Sequence, residues 1–108
     1  MDPVEAQLEA YNARDLERFL ACYTDDVVIE DASGEVKTRG LDAIRPMYGD
    51  LFTRMRMNAE VRSRLRAGDW VVDDEWVTSL DHPGQPPHHV IVVYHLRDGK
   101  IDRVRFLR

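Results

Sequence analysis

Cysteine is almost missing from this chain. Cys22 is the only one in 108 residues, which excludes an internal disulfide and suits a reducing cytoplasm. No histidine lies near it in sequence, and it sits in the helical pattern Leu16, Phe19, Leu20, Tyr23, where a core or flanking role outweighs a nucleophilic one. Basic charge is in deficit: 15 Lys and Arg against 20 Asp and Glu leave a net charge of −5, which argues against nucleic acid or an anionic membrane as partner. No apolar run approaches the ~18 residues of a membrane span. The opening Met1-Asp2-Pro3-Val4-Glu5 lacks the basic start and apolar stretch of a signal peptide. A cytoplasmic setting is therefore expected. Phosphate loops, nucleotide fingerprints and serine nucleophile elbows are absent too. His82, His88, His89 and His95 show no ligand spacing, so neither a metal nor a cofactor is expected. Any chemistry must run on carboxylates, histidine, tyrosine and water.

What is present suits one globular domain over residues 1–108, with 44% hydrophobic and 32% charged residues. Asp2 can cap a first helix, with Pro3 in its first turn and Glu5 completing a capping-box-like pattern. Val4, Leu8 and Tyr11 then share a face. Asp15 can cap a second short helix with Leu16, Phe19, Leu20 and Tyr23 on its apolar side. A strand is predicted around 26–31, then a polar turn. A third helix follows Gly40, with Ile44, Met47 or Tyr48, Leu51 and Met55 at helical spacing and Pro46 as a misfit that should bend it.

The second half alternates with period two. Met57, Ala59, Val61, Ser63 and Leu65 interleave with Asn58, Glu60, Arg62, Arg64 and Arg66. Five arginines lie between Arg54 and Arg66, and the plainer reading is a solvated face balanced by acids such as Glu60 and Asp73. Gly68-Asp69 turns the chain into a strand over 70–80. Pro86-Pro87 delays the next strand, 90–96, and Asp98-Gly99 signals a two-residue hairpin into 101–107. Helices first and an antiparallel meander afterwards predict an α+β fold, with helices on one side of a curved sheet.

Two carboxylates attract attention. Val27, Ile29 and Asp31 share one strand face, and a carboxylate at the rim of an apolar surface is one way to make a general base. Asp31-Ala32-Ser33-Gly34 is equally a turn in which a strand simply ends. On the strand 70–80, Trp70, Val72, Asp74, Trp76, Thr78 and Leu80 point one way, which places Asp74 on the expected inner face. Burial would raise its pKa unless it is solvated or paired with an arginine.

Tyr23-Thr24-Asp25-Asp26-Val27-Val28-Ile29-Glu30-Asp31, the Gly40-x-x-x-Ile44 spacing and Asp98-Gly99-Lys100-Ile101 together resemble the nuclear transport factor 2-like superfamily over the whole chain. Within it the chain is most similar to SnoaL-like polyketide cyclases and steroid delta-isomerases. The resemblance implies a cone: a strongly bent sheet wrapped around three N-terminal helices, with a pocket at the open end and a dimer joined through the outer sheet face. In the steroid isomerases the residue matching Asp31 shuttles a proton, beside an oxyanion hole of a tyrosine and a protonated aspartate. Those two positions fall near Gln7 and Val92, and losing one such donor costs roughly a hundredfold in rate. The Asp-Arg-Asp set of limonene-epoxide hydrolases falls on Trp76, Asp74 and Phe106, which departs from it as well.

The expected catalytic residues are thus Asp31, Asp74 and His88, the last with a reference pKa near neutrality but at a strand entrance where solvation is common. Tyr11, Tyr48, Phe52, Trp76, Val92 and Tyr94 are the expected ligand-binding walls, for a small apolar or aromatic ligand. Two functions remain open: a cofactor-free isomerase, cyclase or dehydratase with Asp31 as base, and a non-catalytic binding or dimerisation module. Val71, Val77, Ile91 and Val93 are expected on the outer sheet face, where a homodimer would cover them.

Overall fold

The computed structural model describes residues 2–108. Met1, part of the opening read for a signal peptide, lies outside them. Helix α1 (Pro3–Ala13) starts as its sequence dictates: the Asp2 carboxylate accepts the Val4 N–H at 3.0 Å. Asp15 caps α2 (Leu16–Leu20) in the same way through Arg18 N–H at 3.2 Å.

Strand β1 (Tyr23–Glu30) begins earlier than the predicted 26, after a turn at Ala21-Cys22. The stretch predicted as a polar turn contains β2 (Val36–Arg39), an edge strand antiparallel to β1. With one apolar residue in four, β2 gave no period-two signal; its pairing with β1 makes it a strand. Gly40, at φ +86°, breaks the strand in a left-handed conformation that suits glycine. Helix α3 (Leu41–Arg54) then runs through Pro46 as a single element.

Four strands complete the sheet: β3 (Met57–Ala67), β4 (Trp70–Ser79), β5 (His88–Arg97) and β6 (Lys100–Leu107). The order is β2-β1-β6-β5-β4-β3. It is antiparallel throughout except that β1 runs parallel to β6, a departure from the all-antiparallel expectation. Asp98 and Gly99 both take positive φ, 54° and 77°, as the two-residue turn between β5 and β6 requires. The fold is the expected α+β cone. Its core gathers Phe19, Tyr23, Ile44, Val71, Val92 and Ile101 between helices and sheet.

Two neighbouring strands differ in how their alternation relates to burial. On β5, Val90, Val92 and Tyr94 are buried inside, as expected. On β4 the expectation is inverted: Val71, Asp73 and Glu75 are buried, and Trp70 is 45% exposed. Antiparallel partners share a face, and Val71, Asp73 and Glu75 pair with Tyr94, Val92 and Val90. Asp74 and Trp76 therefore lie on the outer face, and Val71 and Val77 on the inner one. Ile91 and Val93 sit outside as predicted.

Strand β3 holds both parities. Its register with β4 slips between Val61 and Ser63, so Arg62 is an extra residue. Ala59 is buried before the bulge. Beyond it Leu65 is 69% exposed and Arg64 turns inward. Arg64 forms a two-pronged ion pair with Asp73, at 2.6 and 2.9 Å, and also contacts Glu5. Asp73 is fully buried, and this fork neutralises it. Arg62 lies over the Trp76 ring at 4.4 Å and bonds Glu60.

Candidate functional site

Inside the cone is a cavity of about 330 Å³, walled by α1, α3 and the inner faces of β4, β5 and β6. Its walls are mostly aromatic and aliphatic, and one carboxylate lines it, that of Glu75. Glu75 is 7% exposed. Its one hydrogen-bond partner among the described residues is the Tyr94 hydroxyl, which donates to Oε2 at 3.0 Å. Burial pushes the Glu75 carboxyl up to about 7. The Tyr94 hydrogen bond and the Arg64 guanidinium oppose that rise, while the negative Asp73 reinforces it.

A relay of hydrogen bonds stands behind this pair. Tyr23 Oη donates to Gln7 Oε1 at 3.2 Å, and Gln7 Nε2 donates to Tyr94 Oη at 3.0 Å. Every bond in the line Tyr23–Gln7–Tyr94–Glu75 points its proton toward the carboxylate. Such a chain stabilises the charged form without neutralising it. Each link comes from a different element: β1, α1, β5 and β4. Both Tyr23 and Tyr94 hold their protons well above the usual phenol range, because they are buried.

The predicted site residues divide. Tyr11, Tyr48, Val92 and Tyr94 line the cavity, as does His88, which is exposed at its rim opposite Val77. Phe52 packs in the adjoining aromatic core, 5.4 Å from Phe19 between ring centres. Trp76 is outside the cone, stacked on His89 at 4.2 Å. Asp74, also outside, hydrogen-bonds His89. On this geometry Asp74 and Trp76 do not meet the other site residues.

Asp31 is not in the cavity either. The strand ends at Glu30, and the Asp31 carboxylate folds back over its own turn. It accepts from Ser33 N–H at 2.9 Å, Ser33 Oγ at 2.6 Å and Glu35 N–H at 3.1 Å, with Lys37 at 3.6 Å. The Ser33 hydrogen bonds hold its pKa below the usual aspartate value. Asp31 borders a second, open groove of about 1030 Å³ between α3 and the strands β1, β2 and β6. The turn reading of Asp31-Ala32-Ser33-Gly34 accounts for this geometry.

Glu75, Gln7 and Tyr23 carry the polar network, and no sequence expectation assigned them to it. Asp73, Asp74 and Glu75 form an acidic triplet in mid-strand, and only register decides which of them face inward. The signal was available on β5, whose inner face was correct, but the long loop 80–87 hides the register between the two strands. Among the described residues, no group of three or more His, Cys, Asp or Glu side chains could hold a metal. No helix among them is long and apolar enough to cross a membrane.

Comparison with known proteins agrees with this architecture. The structure superposes on an uncharacterised cystatin-fold protein from Novosphingobium aromaticivorans with a TM-score of 0.84 at 30% identity, covering 98% of this chain and 95% of that one. A candidate polyketide cyclase from Sinorhizobium meliloti matches at TM-score 0.82 and 22% identity, over 99% and 94% of the two chains. An LEH-like epoxide hydrolase from Mycobacterium tuberculosis matches at TM-score 0.82 and 22% identity, over 96% and 77%. The last two likenesses establish the fold alone. No curated protein matches the sequence. The SnoaL-like domain family matches residues 4–104, almost the whole length. With its helices, its six-stranded sheet and that match, the chain belongs to the SnoaL-like domain family, on the nuclear transport factor 2-like fold.

Proposed function

We propose that the cone is a small-molecule site for cofactor-free acid–base chemistry of the isomerase, cyclase or dehydratase kind, with Glu75 as the proton-transferring group in place of Asp31. The observation that carries this reading is a single carboxylate buried in an apolar cavity, where burial pushes its pKa up to about 7. A base with that affinity holds a proton loosely enough to give it up and tightly enough to take it at neutral pH. Asp31 has the opposite setting, an exposed turn with its charge already satisfied.

The step is a proton transfer. Glu75 takes a proton from carbon next to a carbonyl, and the electron pair moves onto the carbonyl oxygen as an enolate. Returning the proton to another carbon gives an isomer; attack of the enolate carbon on a second carbonyl of the same molecule gives a ring. Gln7 is the donor beside this event. One of its amide hydrogens is given to Tyr94, which leaves the second for the enolate oxygen. A cavity of about 330 Å³ suits a small apolar carbonyl compound.

Exchange of the α-hydrogens of 2-tetralone in D2O, followed by proton NMR, tests this without a known substrate. Protein-dependent exchange that disappears in Glu75→Gln is the expected result. Exchange that survives the substitution removes Glu75 from the role.

The second reading, a non-catalytic binding module, rests on Val92. By the resemblance it falls near the protonated aspartate of the steroid isomerases, and it has no donor to offer, so a ligand would be held without being turned over. We also propose that a second copy covers the outer sheet face, where Leu65 and Trp70 are 69% and 45% exposed. Sedimentation at micromolar concentration should give twice the 12.6 kDa chain mass; a monomer would refute it.

A further inference from the structure

The polar groups of the cavity are segregated. At the inner end, Glu75, Tyr94, Gln7 and Tyr23 are engaged with one another. At the other end the cavity meets the groove beside α3, and Tyr48, Leu51, Met55, Phe106 and Arg108 belong to both. That shared end is the mouth, and its donors are unengaged. Neither the Tyr11 nor the Tyr48 hydroxyl has a hydrogen-bond partner within the described residues, although both side chains line the cavity.

The charges at the mouth are uneven. Lys37 and Arg54, which line the groove, are each paired with a carboxylate: Lys37 with Asp31 and Glu35, Arg54 with Asp50. Glu30 is held by Arg103 and Arg105. Arg108 has no carboxylate within 4 Å among the described residues, and its guanidinium lies 5.0 Å from the centre of the Phe106 ring. Burial raises the pKa values of Tyr11 and Tyr48, and both lie within the fields of the two ends: Glu75 adds to the rise and Arg108 opposes it.

We infer that the ligand is an apolar carboxylate, whose anionic end is held at the mouth by Arg108 with the Tyr11 and Tyr48 hydroxyls and whose reactive carbon lies inward beside Glu75. The carboxylate half stands on the mouth geometry; the placement of the reactive carbon rests on the acid–base reading above. The arrangement also fixes orientation. Glu75, when ionised, repels a carboxylate from the inner end, and Arg108 attracts it to the outer one, so the molecule enters one way round. A neutral molecule of the same shape loses both effects.

Cinnamate and cinnamamide are a matched pair of such probes, differing in charge at nearly constant size. Met57 lines the cavity and not the groove, so its methyl resonance in a 13C-methyl-methionine sample reports occupancy of this site. Cinnamate should bind roughly tenfold or more tightly than cinnamamide at low salt, as a charge-assisted contact predicts. Arg108→Gln, at an exposed position, should bring the ratio close to one. Equal affinities, a preference that survives Arg108→Gln, or no saturable shift with either probe would overturn the inference. Loss of the preference with Glu75-dependent hydrogen exchange intact sinks this inference alone. A persistent preference without such exchange sinks only the acid–base reading.

Discussion

Asp31 and Glu75 are both carboxylates at strand positions, and the fold places them in opposite surroundings. Asp31 sits where a strand gives way to a turn, and three donors from its own turn satisfy it. Glu75 sits in mid-strand on the inner face, with one tyrosine hydroxyl for company. The first is held in its charged form and the second is pressed toward its neutral form. Local hydrogen bonds and burial therefore decide the chemistry of a carboxylate more than its position in a family pattern does. A charge already satisfied by its own backbone is a poor base, because taking a proton forfeits those bonds.

The sharpest way to break this contrast is to neutralise each carboxylate in turn. Glu75→Gln should lower protein-dependent hydrogen exchange by roughly a hundredfold to ten-thousandfold, the usual worth of a positioned acid–base group. Asp31→Asn should leave it unchanged. A loss in Asp31→Asn would reverse the comparison.

Stability should follow pH with opposite signs at the two sites. Glu75 has its folded pKa raised from 4.5 to about 7, so its contribution is fully present below 4.5 and is lost as pH rises through 7. The loss across that window is about 3 kcal/mol on the usual conversion. Asp31 has its folded pKa depressed below 3.8, so its smaller contribution is present above 3.8 and lost as acid protonates it. Urea unfolding at pH 4.5 and at pH 8 measures the difference. Glu75→Gln should flatten the slope between those pH values and be more stable than the native chain at pH 8; a native-like slope in the variant would assign the titration elsewhere.

A smaller effect sharpens the account of Glu75 itself. The Tyr94 hydrogen bond favours the ionised form, so Tyr94→Phe should raise the Glu75 midpoint above 7. It should also cost about 1–2 kcal/mol of stability, because Gln7 Nε2 loses its acceptor in the interior. A lowered midpoint would mean that the relay acts against the charge.

Much of this fold was legible in the residues. The capping aspartates, the Asp98-Gly99 turn and the inner face of β5 all came through, because each depends on local chemistry or on an uninterrupted alternation. On β4 the alternation points to the wrong face for a physical reason. Its outer face carries Trp70, Val72 and Trp76, and its inner face carries Asp73 and Glu75. Alternation then marks the wrong side as the core. Two features offset this inversion: Arg64 neutralises Asp73, and the cavity leaves room for Glu75. Local pattern and global fold disagree at the candidate site, where function commonly overrides stability. Arg64 was hidden by the bulge at Arg62, and bulges leave no reliable mark in the sequence.

The most direct test of the account is the titration of Glu75, followed through its side-chain carboxyl carbon by 13C NMR and assigned with Glu75→Gln. A midpoint near 7 is the predicted result, and it would make this residue a carboxylate that exchanges protons at neutral pH. A midpoint near the ordinary 4.5 would contradict the central claim, since Glu75 would then be a fixed charge in a binding cavity.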